Sequence, residues 1–225
     1  MKSSNTVKIF ALFLLMCVIC ISIFTGCKND DVTVDDENKN DSENTKAELD
    51  YSQINIDDYV KAVNYKGLEL TIDTPDASKE LVLWQAILED AAVTAYPESA
   101  VQYYFEQTKD YYMFIVNNDV KAYEMLLESR NMTEDDLVAE ARELVKKDLV
   151  YLYIVEKEGI SITEDEKQSL FDKYAAAYVS EYGYTLEYVK ANMTELIYES
   201  MLYDKTMEFL ILNNDFELKA SDTNS

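Results

Sequence analysis

The chain has 225 residues, 44 of them acidic against 20 basic, and a formal charge of −24, a poor match for nucleic acid, whose binding rests on basic side chains neutralising phosphates. It has no histidine, 3 Cys, 4 Gly and 2 Pro, which removes His-based triads, Cys–His nucleophiles and glycine-rich phosphate loops together. What remains is a protein expected to act without a cofactor or a metal, through its surfaces.

The N-terminus carries Lys2 and Lys8, an apolar run over residues 9–21, and then Ser22, Ile23, Phe24, Thr25, Gly26 and Cys27. This order is that of a charged segment, an apolar segment and a small-residue cleavage site. At about 13 residues the apolar segment is short for a spanning helix, which needs about 20. The segment resembles a lipobox, with Phe24 where the usual pattern has Leu. It implies a signal peptide over 1–26 and a lipid-modified Cys27 at the mature N-terminus, where each buried methylene of the acyl chains contributes about 0.8 kcal/mol to membrane anchoring. Cys17 and Cys20 would leave with the signal, so no thiol or disulfide chemistry is expected.

Residues 28–50 contain nine carboxylates, three lysines and no aromatic residue. With Cys27 they read as a disordered acidic linker over 27–50. From Tyr51 onward aromatic and aliphatic residues become frequent, and one sizeable domain is expected over 51–215, followed by a tail over 216–225. Alternation through Tyr65-Lys66-Gly67-Leu68-Glu69-Leu70-Thr71-Ile72 predicts one short extended segment, and everything after Pro75 reads as helix.

A first helix is expected over 78–95, with Leu81, Trp84, Ile87, Leu88 and Ala91 on one face. Pro97 suits the first turn of a second helix over 98–116, and a shorter helix follows over 120–129. Thr133 with Asp136 forms a capping box that opens a long helix ending at Glu158, where Gly159 stops it. The predicted apolar stripe of that helix is Leu137, Ala141, Leu144, Val145, Leu152 and Val155. Thr163 with Glu166 is a second capping box, opening a helix that ends near Tyr182 and Gly183. A short helix over 186–191 comes next, and Asn192 with Glu195 is expected to cap a last helix reaching Leu212. The fold class is therefore all-α, an irregular multi-helix bundle with long helices behind a signal peptide and acidic linker. Acidic pairs such as Asp135 with Asp136 and Glu164 with Glu166 sit in first helical turns, where the helix dipole accounts for them without catalysis.

Several of these segments together carry a likeness. Tyr65-Lys66-Gly67-Leu68-Glu69 is similar to the arm that precedes the isomerase domain of trigger factors, and Pro97-Glu98-Ser99 to the turn opening that family's first long chaperone helix. Asn131-Met132-Thr133-Glu134-Asp135-Asp136 and Glu158-Gly159-Ile160-Ser161-Ile162-Thr163-Glu164-Asp165-Glu166 match two successive helix junctions, and Phe209-Leu210 ends the last helix as in that family. Over residues 65–213 the chain thus resembles the C-terminal chaperone domain of trigger factor and, more distantly, the helical domains of SurA and PrsA. Two departures limit what the resemblance implies. No ribosome-docking domain precedes the arm, so no ribosome binding is expected, and no room for an isomerase domain lies between Ala95 and Pro97, so the protein is not expected to be an enzyme.

The implied function is a lipid-anchored holdase on the extracytoplasmic face of a bacterial membrane, shielding unfolded or newly secreted polypeptides without ATP. With 18 Tyr and 8 Met, the chain is rich in side chains suited to promiscuous contact. The candidate client-binding residues are Tyr103, Tyr111 and Phe114 in the second helix, on the side opposite Val101, Tyr104, Phe105, Tyr112 and Ile115, and Tyr174, Tyr178 and Tyr182 in the fifth. The alternative is an interaction lipoprotein that holds one fixed envelope partner through the same helices.

Overall fold

The computed structural model describes Leu49 and residues 51–219. Cys27, the signal segment and the acidic linker, apart from Leu49, lie outside the described residues. Among the described residues the chain is helix-rich, with seven α-helices and four short strands. They are α1 (Lys79–Asp90), α2 (Glu98–Ile115), α3 (Val120–Ser129), α4 (Glu134–Glu158), α5 (Glu164–Tyr182), α6 (Leu186–Asn192) and α7 (Thr194–Leu212). The strands are β1 (Val60–Ala62), β2 (Glu69–Ile72), β3 (Ala92–Val93) and β4 (Asp215–Leu218). None of these helices is long and apolar enough to cross a membrane.

The chain divides into two compact units. One contains Glu98–Arg142, and the other joins Ile54–Pro97 to the chain from Glu143 onward.

The helix boundaries follow local chemistry. Ser78 caps α1 by accepting from the Leu81 N–H, and Asp119 caps α3 by accepting from Lys121 and Ala122. Thr133 and Asp136 satisfy each other at the start of α4, the Thr133 N–H donating to Asp136 Oδ2 at 2.7 Å and the Asp136 N–H to Thr133 Oγ1 at 3.3 Å. Thr163 and Glu166 form the full capping box of α5. Such caps are each worth about 1 kcal/mol. Gly183, at φ 71°, ends α5 in the left-handed conformation that costs glycine least. Asn192 does not cap the last helix: its Nδ2 donates back to the Tyr188 carbonyl, closing α6, and α7 starts at Thr194 without a side-chain cap.

Two of the strands replace expected helix or tail. The first helix stops at Asp90 because Ala92–Val93 pairs antiparallel with β1, and the Thr94 N–H continues the contact by donating to the Tyr59 carbonyl at 2.8 Å. Residues 216–218, expected as the start of the tail, belong to β4, which pairs in parallel with β2 in the register Glu69↔Asp215 to Ile72↔Leu218. Asn214, 8 % exposed, anchors this junction. Its Nδ2 donates to the carbonyls of Tyr65 and Leu210, and its Oδ1 accepts from the Leu68 N–H. Tyr65 and Lys66 both donate to the Glu158 carboxylate, at 2.6 and 2.7 Å, tying the segment before β2 to the end of α4.

Among the described residues of the larger unit, two cores are formed. Leu83, Ile87, Val150, Ile154, Met207 and Leu210 form one, gathered from α1, α4 and α7. Leu81, expected on the buried face of α1, is 65 % exposed, since it lies about 200° around the helix from Leu83. Ala175, Val189, Met193, Ile197 and Met201 form the second core from α5, α6 and α7. Along α4 the fully buried positions are Leu137, Ala141, Val145, Leu149, Val150 and Ile154, whereas Leu144, Leu152 and Val155 are half-buried. Steps of four residues overshoot a turn by about 40°, so the stripe winds round the helix and moves off the face the sequence pattern assigns.

At the start of α5 the Glu166 carboxylate accepts from Lys205 Nζ at 2.7 and 2.9 Å as well as from Thr163. The bond from Lys205, reinforced by Thr163, holds its pKa at about 2. A carboxylate depressed in the folded state stabilises above its ordinary titration range and loses that contribution as pH falls. The stability advantage of the native chain over Glu166→Gln, measured by urea unfolding, is therefore expected to persist at neutral pH and to disappear as pH is lowered towards about 2. An advantage unchanged down to that pH would refute the assigned partnership.

Candidate functional site

Within the unit of Glu98–Arg142, α2 carries apolar residues on two sides, and one of them packs on a core shared with α3 and the start of α4. Glu98 opens the helix directly after Pro97, and Asn117 and Asn118, at φ 53° and 59°, close it. Asparagine tolerates the left-handed region better than other non-glycine residues, and here two in succession reverse the chain. The Asn118 N–H donates to the Met113 carbonyl at 2.8 Å and the Asn117 N–H to that of Phe114 at 3.0 Å. Asp119 then starts α3.

The core of this unit is Tyr123, Leu127 and Leu137, with Phe105, Tyr112, Met113, Val116 and Met132 packed against it. Lys109 sits beside this core, its Nζ 2.6 Å from Glu134 Oε1 and 5.8 Å above the Tyr123 ring. The pair is half exposed, so its contribution is about 0–1 kcal/mol, but it closes the polar border of the core. Lys109 lowers the Glu134 pKa through this bond, and the Arg130 guanidinium stacks 5.4 Å from the Tyr112 ring centre.

That core leaves the opposite side of α2 open. Tyr111 is 38 % exposed, Phe114 45 % and Ile115 44 %, three large apolar residues at helical spacings of three and four. Ile115 was expected on the packed side; Met113 and Val116 occupy the core instead. Tyr103 is half-buried, its ring edge-on to Tyr104 at 5.3 Å. On α3, Val120 and Met125 are still more exposed, at 60 % and 68 %. The sequence reading missed both, although Met125 lies two residues from both Tyr123 and Leu127 and so points about 200° away from them.

The three tyrosines of α5 have intramolecular partners. Tyr174 Oη donates to Asp204 Oδ2 at 2.7 Å, and Tyr178 Oη lies 3.4 Å from Ser200 Oγ. Both rings pack on the core around Ala175 and Ile197. Tyr182 is half-buried between Tyr178 and Tyr184, at ring separations of 5.9 and 6.3 Å. Burial raises the hydroxyl pKa of all three, Asp204 adding to the shift at Tyr174. The structure thus brings Tyr111 and Phe114 together at an open surface and places Tyr103, Tyr174, Tyr178 and Tyr182 against other parts of the chain.

The acidic pairs of the first helical turns have local partners too, Asp136 on Thr133 and Glu166 on Thr163 and Lys205. Among the described residues no group of three or more Asp, Glu, His or Cys side chains is placed to hold a metal ion. Comparison with protein-family models, with curated proteins and with solved structures finds no match.

Proposed function

We propose that the protein is a lipid-anchored extracytoplasmic holdase that shelters unfolded segments of newly secreted polypeptides on the open apolar side of α2 and α3. The observation that carries this reading is the exposure of Tyr111, Phe114 and Ile115 on α2 and of Met125 on α3, each on the side of its helix turned away from the core of Tyr123, Leu127 and Leu137. Solvated aromatic and methionine side chains offer adaptable contact area without demanding one partner shape. The resemblance of residues 65–213 to the trigger factor chaperone domain, and the lipobox-like approach to Cys27, supply the rest of the reading. Client apolar area gains about 25 cal/mol per Å² on burial, while loss of chain freedom keeps the affinity modest. Binding is therefore weak, reversible and independent of ATP.

The test is light scattering from two or three dissimilar denatured proteins diluted into buffer, with and without the purified protein. Suppression of each at a few-fold molar excess is the expected result, and suppression of none removes the holdase reading in favour of a fixed envelope partner. The anchor has its own test. Cys27→Ala is expected to abolish labelling by a radioactive or clickable fatty acid and to release the protein from the membrane fraction, and undiminished labelling would show that Cys27 is not the lipid attachment site.

A further inference from the structure

Among the described residues, the outer edge of β4 in the parallel pair β2·β4 has no strand paired to it. Asp215 and Lys219 donate their backbone N–H groups to the carbonyls of Leu68 and Ile72, both at 2.9 Å. In a parallel ladder alternate residues face the partner strand, so Phe216 and Leu218 turn their N–H and C=O groups away from β2. The sheet has two strands only, and no described strand takes that edge. A sheet becomes robust with three or more strands, and an unpaired edge is a template for another.

The side chains say which strand fits. One face of the pair turns to the core, with Leu70, Ile72 and Phe216; Leu218 continues that face but is 53 % exposed, an apolar position whose burial is incomplete. The other face carries Glu69 and Thr71 on β2 and Asp215 and Glu217 on β4, all exposed, with Glu69 directly opposite Asp215. Like charges in that relation repel. The neighbouring cations are engaged elsewhere: Lys219 Nζ is 3.4 Å from Asp73, and Lys79 Nζ stands 4.9 Å over the Phe216 ring. A second copy of this acidic strand would add carboxylates to the same face, so self-pairing is opposed.

We infer that the β4 edge is a docking site for an extended polypeptide segment in which basic residues alternate with apolar ones, added as a third strand along Phe216 and Leu218. The basic side chains would lie over Glu217 and Asp215, and the apolar ones would extend the face that Leu218 leaves open. Main-chain hydrogen bonding supplies the attraction and charge supplies the selectivity, as in other strand additions. This site is built from residues of the larger unit and uses none of the α2 residues, so it holds or fails independently of holdase activity.

The probe is a capped peptide of alternating Lys and Val titrated into the purified protein, with amide hydrogen exchange followed residue by residue. Slowed exchange at Phe216 and Leu218 is expected. Leu218→Pro removes an outward N–H that the β2 ladder does not use, so it should leave the urea midpoint in place and weaken peptide binding about tenfold or more. Glu217→Lys should reverse the preference towards a Glu–Val peptide. N-methylation of alternate peptide nitrogens should abolish binding whatever the behaviour of the variants. Equal binding of the methylated peptide, no slowing at Phe216 and Leu218, or equal affinity for the Lys–Val and Glu–Val peptides would each overturn the proposal.

Discussion

Asn214→Ala is expected to lower stability by about 3 kcal/mol, more than any surface substitution in the chain. The side chain makes three hydrogen bonds while almost wholly buried, reaching the Tyr65 and Leu210 carbonyls and the Leu68 N–H. Its removal takes a partner from the Tyr65 carbonyl and the Leu68 N–H, while the Leu210 carbonyl keeps the Asn213 N–H, and an unsatisfied buried group costs about 1–3 kcal/mol. Some of that cost is recovered where water enters the space left behind. The loss should also loosen β4, because the Gly67 N–H on Asn213 and the Asp215 N–H on Leu68 depend on the same register. Asn214→Asp separates the effects. It keeps an acceptor for Leu68 but turns carboxylate oxygen towards two carbonyls, so it should be nearly as damaging. A urea midpoint shifted for both variants, with an unchanged slope, is the expected reading. A wild-type midpoint in either would show that the junction does not depend on Asn214.

The second large effect is expected at Ile154. It is fully buried among Leu83, Ile87, Val150, Met207 and Leu210, which come from three different helices. Truncation to alanine removes the transfer free energy of three carbons and leaves a cavity that three packed helices cannot close, at a cost of about 3 kcal/mol. Ile154→Val should cost about 1 kcal/mol. Leu212→Ala, at a residue 77 % exposed on the last turn of α7, should stay within about 0.5 kcal/mol and serves as the control. Thermal or urea unfolding of the three variants checks the order, and a mild effect at Ile154 would place the core elsewhere.

Much of the helical frame is legible in the sequence because its signals are local. Thr133 with Asp136, Thr163 with Glu166, Gly159 and Gly183 act within four residues of themselves, and the helices they delimit begin and end there. β2 lies within the extended segment that the alternation over 65–72 predicts, but the other strands were not legible, for the opposite reason. Asp215–Leu218 offers four residues of alternation, and its partner lies far back in the chain, so neither its pairing nor the role of Asn214 has a local signature. The long α4 shows the intermediate case. Its periodicity identifies a helix, but Leu149, Val150 and Ile154 are buried by elements whose arrival no single-helix pattern encodes. The same limit applies to the candidate site. Surplus aromatics mark α2 and α5 alike, and only tertiary packing separates Tyr111 and Phe114, left in solvent, from Tyr174 and Tyr178, which find Asp204 and Ser200. Met125 was detectable in principle, as an apolar residue out of phase with Tyr123 and Leu127.

The central claim, that the open side of α2 shelters unfolded chains, is tested most directly by the double variant Tyr111→Ser, Phe114→Ser. Its suppression of the aggregation of a denatured, unrelated protein should be compared with that of the native chain, alongside the thermal unfolding of each. Both residues lie outside the core built on Tyr123, Leu127 and Leu137, so unfolding should move little. Suppression should fall by about half or more, as expected when aromatic anchors are removed from a contact surface. Full suppression by a folded double variant would contradict the account.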